Sequence, residues 1–175
     1  MQKYLEIAGR TPVLIANLIG ALALLFVVFP ALPIGGELLD AMPAYTHAEA
    51  IAAMESYGES GRLVYAWSSL TLDVLLPIVY VSFLAGFLYR FPPAGVLRGI
   101  VFLPFAAGLL DLAENVQLTL MLTRFPDVGA TQVALASWFT MAKTAVAAVS
   151  MSAAVVFAAV AAVRLAGRRL RGRPA

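Results

Sequence analysis

Four long apolar runs, set off by prolines, glycines and charged residues, dominate the chain at about Pro12 to Ile34, Leu63 to Leu88, Gly99 to Leu122 and Gln132 to Val163. A helix needs about 20 such residues to cross the roughly 30 Å hydrocarbon core of a bilayer. The pattern predicts an all-α, integral-membrane four-helix bundle forming a single membrane domain over residues 1–175. Pro12 suits a first helical turn, while Pro30 and Pro33 discourage continuation past the far end of the first helix. The segments Tyr89-Arg90-Phe91-Pro92-Pro93 and Phe125-Pro126-Asp127-Val128-Gly129 predict compact breaks between helices two and three and between three and four.

The sizeable polar segment, Gly35 to Arg62, is acidic, with Glu37, Asp40, Glu49, Glu55 and Glu59. Thr46-His47-Ala48-Glu49 has the form of a capping box and Gly58 suits a helix C-terminus, so a short amphipathic helix is expected over about His47 to Tyr57. Its apolar residues Ile51, Met54 and Tyr57 fit either of two placements, along the membrane surface or over the mouth of the bundle.

Positive charge sets the orientation, because cytoplasmic loops retain Lys and Arg. Lys3, Arg10, Arg90, Arg98, Arg164, Arg168, Arg169, Arg171 and Arg173 fall on one side, and only Arg62 and Arg124 on the other. Both N and C termini are therefore expected to be cytoplasmic, with the Gly35 to Arg62 segment as the first outer loop. The first apolar run is longer than a secretory h-region and lacks a small-x-small cleavage site, so it reads as a retained helix.

Composition narrows the function classes. The 175 residues are 62% hydrophobic and 13% charged, with a mean hydropathy of +0.89; soluble domains carry about a quarter charged residues. No cysteine is present, which excludes disulfides, thiolate metal sites and a cysteine nucleophile. His47 stands alone, which excludes a bis-histidine haem in one chain, and its pairing with Glu49 is too sparse to predict a metal site. No cofactor is expected. The net charge of +2, with basic residues beside apolar runs, reads as a topology signal and not as a nucleic-acid surface.

The candidate chemistry lies in ionisable residues that a bilayer disfavours: Asp73 in helix two, Asp111 and Glu114 in helix three, and Lys143 in helix four. Each costs at least about 2.5–3.5 kcal/mol near a bilayer centre, so such groups face other helices or water and mark function. At about 100° per residue, Ser69, Asp73, Pro77 and Tyr80 share about 80° of arc, and Pro104, Gly108, Asp111, Glu114, Asn115 and Leu118 share about 120°. On helix four, Ala136, Thr140, Lys143, Ala147, Ser150 and Ala154 form a narrow stripe of mostly small residues, which turns Lys143 inward. Three carboxylates against one ammonium leave an excess of negative charge that protonation, a bound cation or water must offset. Lys143 is expected to pair with Asp111 or Asp73, leaving Glu114 as the carboxyl that holds a proton, with Asn115, Tyr80, Thr140 and Ser69 supplying hydrogen bonds.

The motifs Asp73-x3-Pro77-x2-Tyr80, Asp111-x2-Glu114-Asn115 and Lys143 resemble the pattern of a group of uncharacterised bacterial four-helix membrane proteins, over about Tyr65 to Thr144. The resemblance implies that these charged residues act as one set, and brings no activity with it. It also fits a multi-pass protein of a bacterial inner (plasma) membrane. The leading expectation is a buried acidic/Lys site that binds a proton, cation or small polar ligand, in a transport role that calls for a homo-oligomer or larger membrane complex around so thin a bundle. The alternatives are an intramembrane enzyme acting on a lipid or isoprenoid, with Glu114 or Asp111 as general acid or base, and an accessory subunit whose polar cluster only joins helices.

Overall fold

The computed structural model describes residues 1–93 and 98–171, with side chains over 1–93 and 99–167, and the described part is helical throughout its regular elements. The side chains of Arg98, Arg168, Arg169 and Arg171, and all of Arg173, counted above for orientation, lie outside the described residues. The elements are α1 (Gln2–Ala8), α2 (Thr11–Ala23), α3 (His47–Ser56), α4 (Gly58–Leu70), α5 (Leu72–Arg90), α6 (Leu103–Arg124) and α7 (Ala130–Arg171). Among the described residues, four stretches are long and apolar enough to cross a membrane: Thr11–Ala31, Gly58–Arg90, Gly99–Arg124 and Ala130–Gly167.

The first span departs from its expected form at both ends. A separate short helix, α1, precedes it and packs on α5. The chain turns between them where Gly9 meets Gly86: a Cβ on Gly86 would lie 2.5 Å from the Ala8 carbonyl, so this approach of two backbones requires glycine. Arg90 fastens the same corner, its Nη1 donating to the Gly9 carbonyl at 3.0 Å and to Thr11 Oγ1 at 2.7 Å. At its other end α2 widens into a π turn over Leu24–Val28 and then tightens into a 3-10 turn over Phe29–Ala31, where Pro30 withdraws a donor.

The single helix expected over 63–88 is two helices. Thr71 breaks the run with φ −125° and ψ −78°. Its Oγ1 donates back to the Trp67 carbonyl at 2.8 Å, and its own carbonyl receives the Val74 and Leu75 amides at 3.2 Å. The consequence is local electrostatics: Asp73 sits in the first turn of α5, where unpaired backbone N–H groups favour negative charge.

Two apolar clusters close the two ends of the bundle. At the α1 end, Leu5, Leu84, Leu88, Val101, Ala154 and Phe157 pack together. At the other end, Met54 and Tyr57 meet Leu118, Met121, Val133 and Ala136. Helix α3 thus lies over this end of the bundle, with Ala50 and Met54 fully buried and Ile51 half-buried. The capping box at Thr46 starts it: Thr46 Oγ1 receives the Glu49 amide at 3.3 Å, and Glu49 Oε2 receives the Thr46 amide at 2.7 Å. His47 Nε2 donates to the Val128 carbonyl at 2.8 Å and ties α3 to the turn between α6 and α7.

Around the bundle α6 packs on α7, on α4 and on α5, and α2 packs along α5. Helices α2 and α7 hardly touch, so the ring of spans is open on that flank.

Candidate functional site

Between the two apolar clusters lies a polar layer, at residues 111–115 of α6 and 140–143 of α7. Helical spacing produces it. Ala107 and Gly108 below, and Leu118 and Met121 above, are buried on the same face of α6 that carries Asp111, Glu114 and Asn115. On α7, Ala136 and Ser150 flank Thr140 and Lys143 in the same way.

Lys143 is the hub. Its Nζ lies 3.0 Å from Asp111 Oδ1 and also pairs with Glu114, to which Thr140 donates from its hydroxyl. Lys143 thus pairs with Asp111, one of its two expected partners, and with Glu114 in addition, so that Glu114 is bound by an ammonium and a hydroxyl. The lone carboxyl is Asp73. It is 5% exposed, and among the described residues its carboxylate takes part in none of the ion pairs that hold Asp111 and Glu114. Its oxygens are not fully enclosed, and Asp73 lines a cavity where a polar partner has room. Tyr80 lies beside Asp111. Ser69 is buried with its hydroxyl unpartnered, and makes no hydrogen bond to the layer.

Asn115 answers to a different need. Pro77 has no N–H, so the carbonyl four residues earlier, that of Asp73 itself, loses its helical donor. Asn115 Nδ2 donates to that carbonyl at 3.0 Å across the α5–α6 interface. The Asp-x3-Pro and Asn motifs thus form a backbone repair, with Asn115 Oδ1 left free and buried.

Two residues join the site that helical periodicity had left in the loop. Asp40, in a 3-10 turn over Leu39–Ala41, accepts the Tyr65 hydroxyl at 2.5 Å and returns its amide to the same oxygen at 3.2 Å. Tyr45 is drawn in where its amide donates to Ser137 Oγ at 3.0 Å; its buried hydroxyl lies beside Thr140 without a hydrogen-bond partner, and burial pushes its pKa up to about 12. Tyr57 is likewise raised above the ordinary tyrosine value, chiefly by burial, while its hydroxyl donates to the Glu37 carbonyl at 2.6 Å. The sequence signals for these residues are faint: an acid directly after Leu38 and Leu39, and an aromatic just before the Thr46 cap.

A cavity of about 370 Å³ opens beside this layer, on the flank that α2 and α7 leave unpacked. Asp40, Asp73 and Lys143 line it together with the apolar Leu25, Phe29 and Leu76. The local charge is four carboxylates, Asp40, Asp73, Asp111 and Glu114, against the single ammonium of Lys143, a formal −3. Lys143 is already shared between two of them. The chemistry available is binding of positive charge, or proton exchange, at Asp73 and Asp40.

No protein family, curated protein or solved structure matches the chain.

Proposed function

We propose that this multi-pass protein resides in a bacterial inner membrane with both termini cytoplasmic, and that it binds a proton, a cation or a small cationic ligand at the Asp73–Asp111–Glu114–Lys143 layer, in a transport role. The cavity then faces the outer half of the bilayer, and α3 belongs to the first outer loop. One observation carries the reading: Asp73 lies unpartnered on the wall of a cavity of about 370 Å³, while the ammonium of Lys143 is engaged by Asp111 and Glu114. Excess negative charge in a poorly solvated interior is offset by protons or cations far more readily than it is tolerated.

The test is ligand-linked stability in nanodiscs. Thermal unfolding of the wild type is followed across pH and across salts of different cations at one ionic strength; anything that binds the folded state raises the midpoint. Wild-type protein is expected to respond to proton or cation concentration, and Asp73→Asn to lose most of that response. A wild type indifferent to both removes the proposal.

A second reading has its own support. The Asn115 bond to the Asp73 carbonyl has a purely structural purpose, and an accessory subunit held in register by its polar layer would use Lys143 in the same manner. Asp73→Asn would then alter stability alone, equally at every pH and in every salt.

A further inference from the structure

Resting on the cation-binding reading, we infer that the ligand is an organic ammonium ion with an apolar body, and that it reaches the site sideways, between α2 and α7. Three features of the cavity point to this class. Its volume of about 370 Å³ is many times that of one water molecule, whose share of liquid volume is about 30 Å³, so a bare ion would leave most of the space unfilled. Its lining combines two kinds of side chain. Asp40 and Asp73 offer acceptors for N–H donors, and Leu25, Phe29 and Leu76 offer hydrocarbon. An alkylammonium head meets the acids through charge-assisted hydrogen bonds, while its chain covers the apolar residues.

The opening is the third feature. Helix α2 packs along α5 yet hardly touches α7, and it leaves regular geometry at Leu24–Val28, beside the cavity. The residues at this gap are apolar, and Leu25 is 46% exposed. An amphiphile dissolved in the bilayer thus finds an entry flanked by hydrocarbon and ending at a carboxylate. Lys143 also lines the cavity, but its ammonium is held by Asp111 and Glu114, which leaves Asp73 free to accept a second cation. Asp73, 5% exposed, lines the cavity and lacks a protein partner, which gives the incoming ammonium a ready acceptor.

The experiment uses the full chain in nanodiscs and three probes: hexylammonium, hexanol and sodium, with binding read by intrinsic fluorescence and by the shift of the unfolding midpoint. Hexylammonium is expected to saturate and to raise the midpoint, with hexanol and sodium doing neither at the same concentration. Asp73→Asn, or Asp40→Asn where the first variant folds poorly, should weaken hexylammonium binding by about tenfold or more. Leu25→Trp, which narrows the apolar side without touching a charge, should weaken it as well and leave any response to pH in place. If sodium or protons alone match hexylammonium, and Leu25→Trp has no effect, the organic ligand class is overturned while the cation site stands. If none of the probes binds and pH has no effect, both fall together.

Discussion

Replacing Asn115 by leucine, which keeps the branching at Cγ, withdraws the donor that meets the Asp73 carbonyl at 3.0 Å, in a position where Asn115 is 1% exposed. A buried carbonyl left without a partner costs about 1–3 kcal/mol, and interhelical hydrogen bonds in membranes reach up to about 1.7 kcal/mol in double-mutant cycles. The expected loss for Asn115→Leu is therefore about 1–2 kcal/mol. The cause lies at residue 77, not at the carboxyl of Asp73, so Pro77→Ala supplies the test: alanine restores an N–H four residues beyond Asp73 and closes the helical bond from within α5. In the Pro77→Ala background, Asn115→Leu should cost close to nothing, giving a coupling of about 1–2 kcal/mol. Reversible unfolding of the four proteins in bicelles, by titration with a denaturing detergent, measures it. Effects that add within about 0.5 kcal/mol would show that Asn115 and Pro77 act independently and refute the repair.

Lys143→Met leaves Asp111 and Glu114 facing each other without a cation; the loss should be about 3–5 kcal/mol, and Glu114→Gln in the same chain should recover part of it, as read by thermal unfolding. Gly86→Ala drives a Cβ to 2.5 Å from the Ala8 carbonyl and should lower stability by about 1–3 kcal/mol; an unchanged midpoint would mean that α1 is not seated on α5 as described. Tyr45 has its folded pKa raised from 10.0 to about 12, so its contribution is intact below pH 10 and drains away between pH 10 and 12 as the buried hydroxyl ionises. Tyr45→Phe should flatten that alkaline loss at almost no cost near neutrality, since the hydroxyl has no hydrogen-bond partner to forfeit; fluorescence-monitored unfolding across this window decides it.

The spans could be read from the sequence because a bilayer imposes a length and a composition that few other environments demand. The meeting of Asp111, Glu114, Lys143 and Thr140 followed from the helical repeat alone, since each shares a face with small or buried residues. The break at Thr71 did not, because no glycine or proline marks it. Asp40 and Tyr45 escaped notice for another reason: their places depend on how the loop folds back on the bundle, through the Tyr65 and Ser137 side chains, and periodicity carries no information about such contacts. The purpose of Asn115 was within reach, as Asp73 stands four residues before Pro77 and a proline always orphans the carbonyl at that spacing.

Helix α7 continues well past the last residue that anchors it. Phe157 is 3% exposed in the cluster at the α1 end, and none of Ala158 to Gly167 is buried. These ten residues span about 15 Å of rod beyond the final tertiary anchor. As far as Val163 the extension is apolar and belongs to the stretch able to cross a membrane, so lipid takes the place of protein packing there. Amide protons should therefore exchange with deuterium first from Arg164 onward and slow sharply before Val163, so that α7 frays only at its tip, like a rope whose last lashing is the bilayer edge.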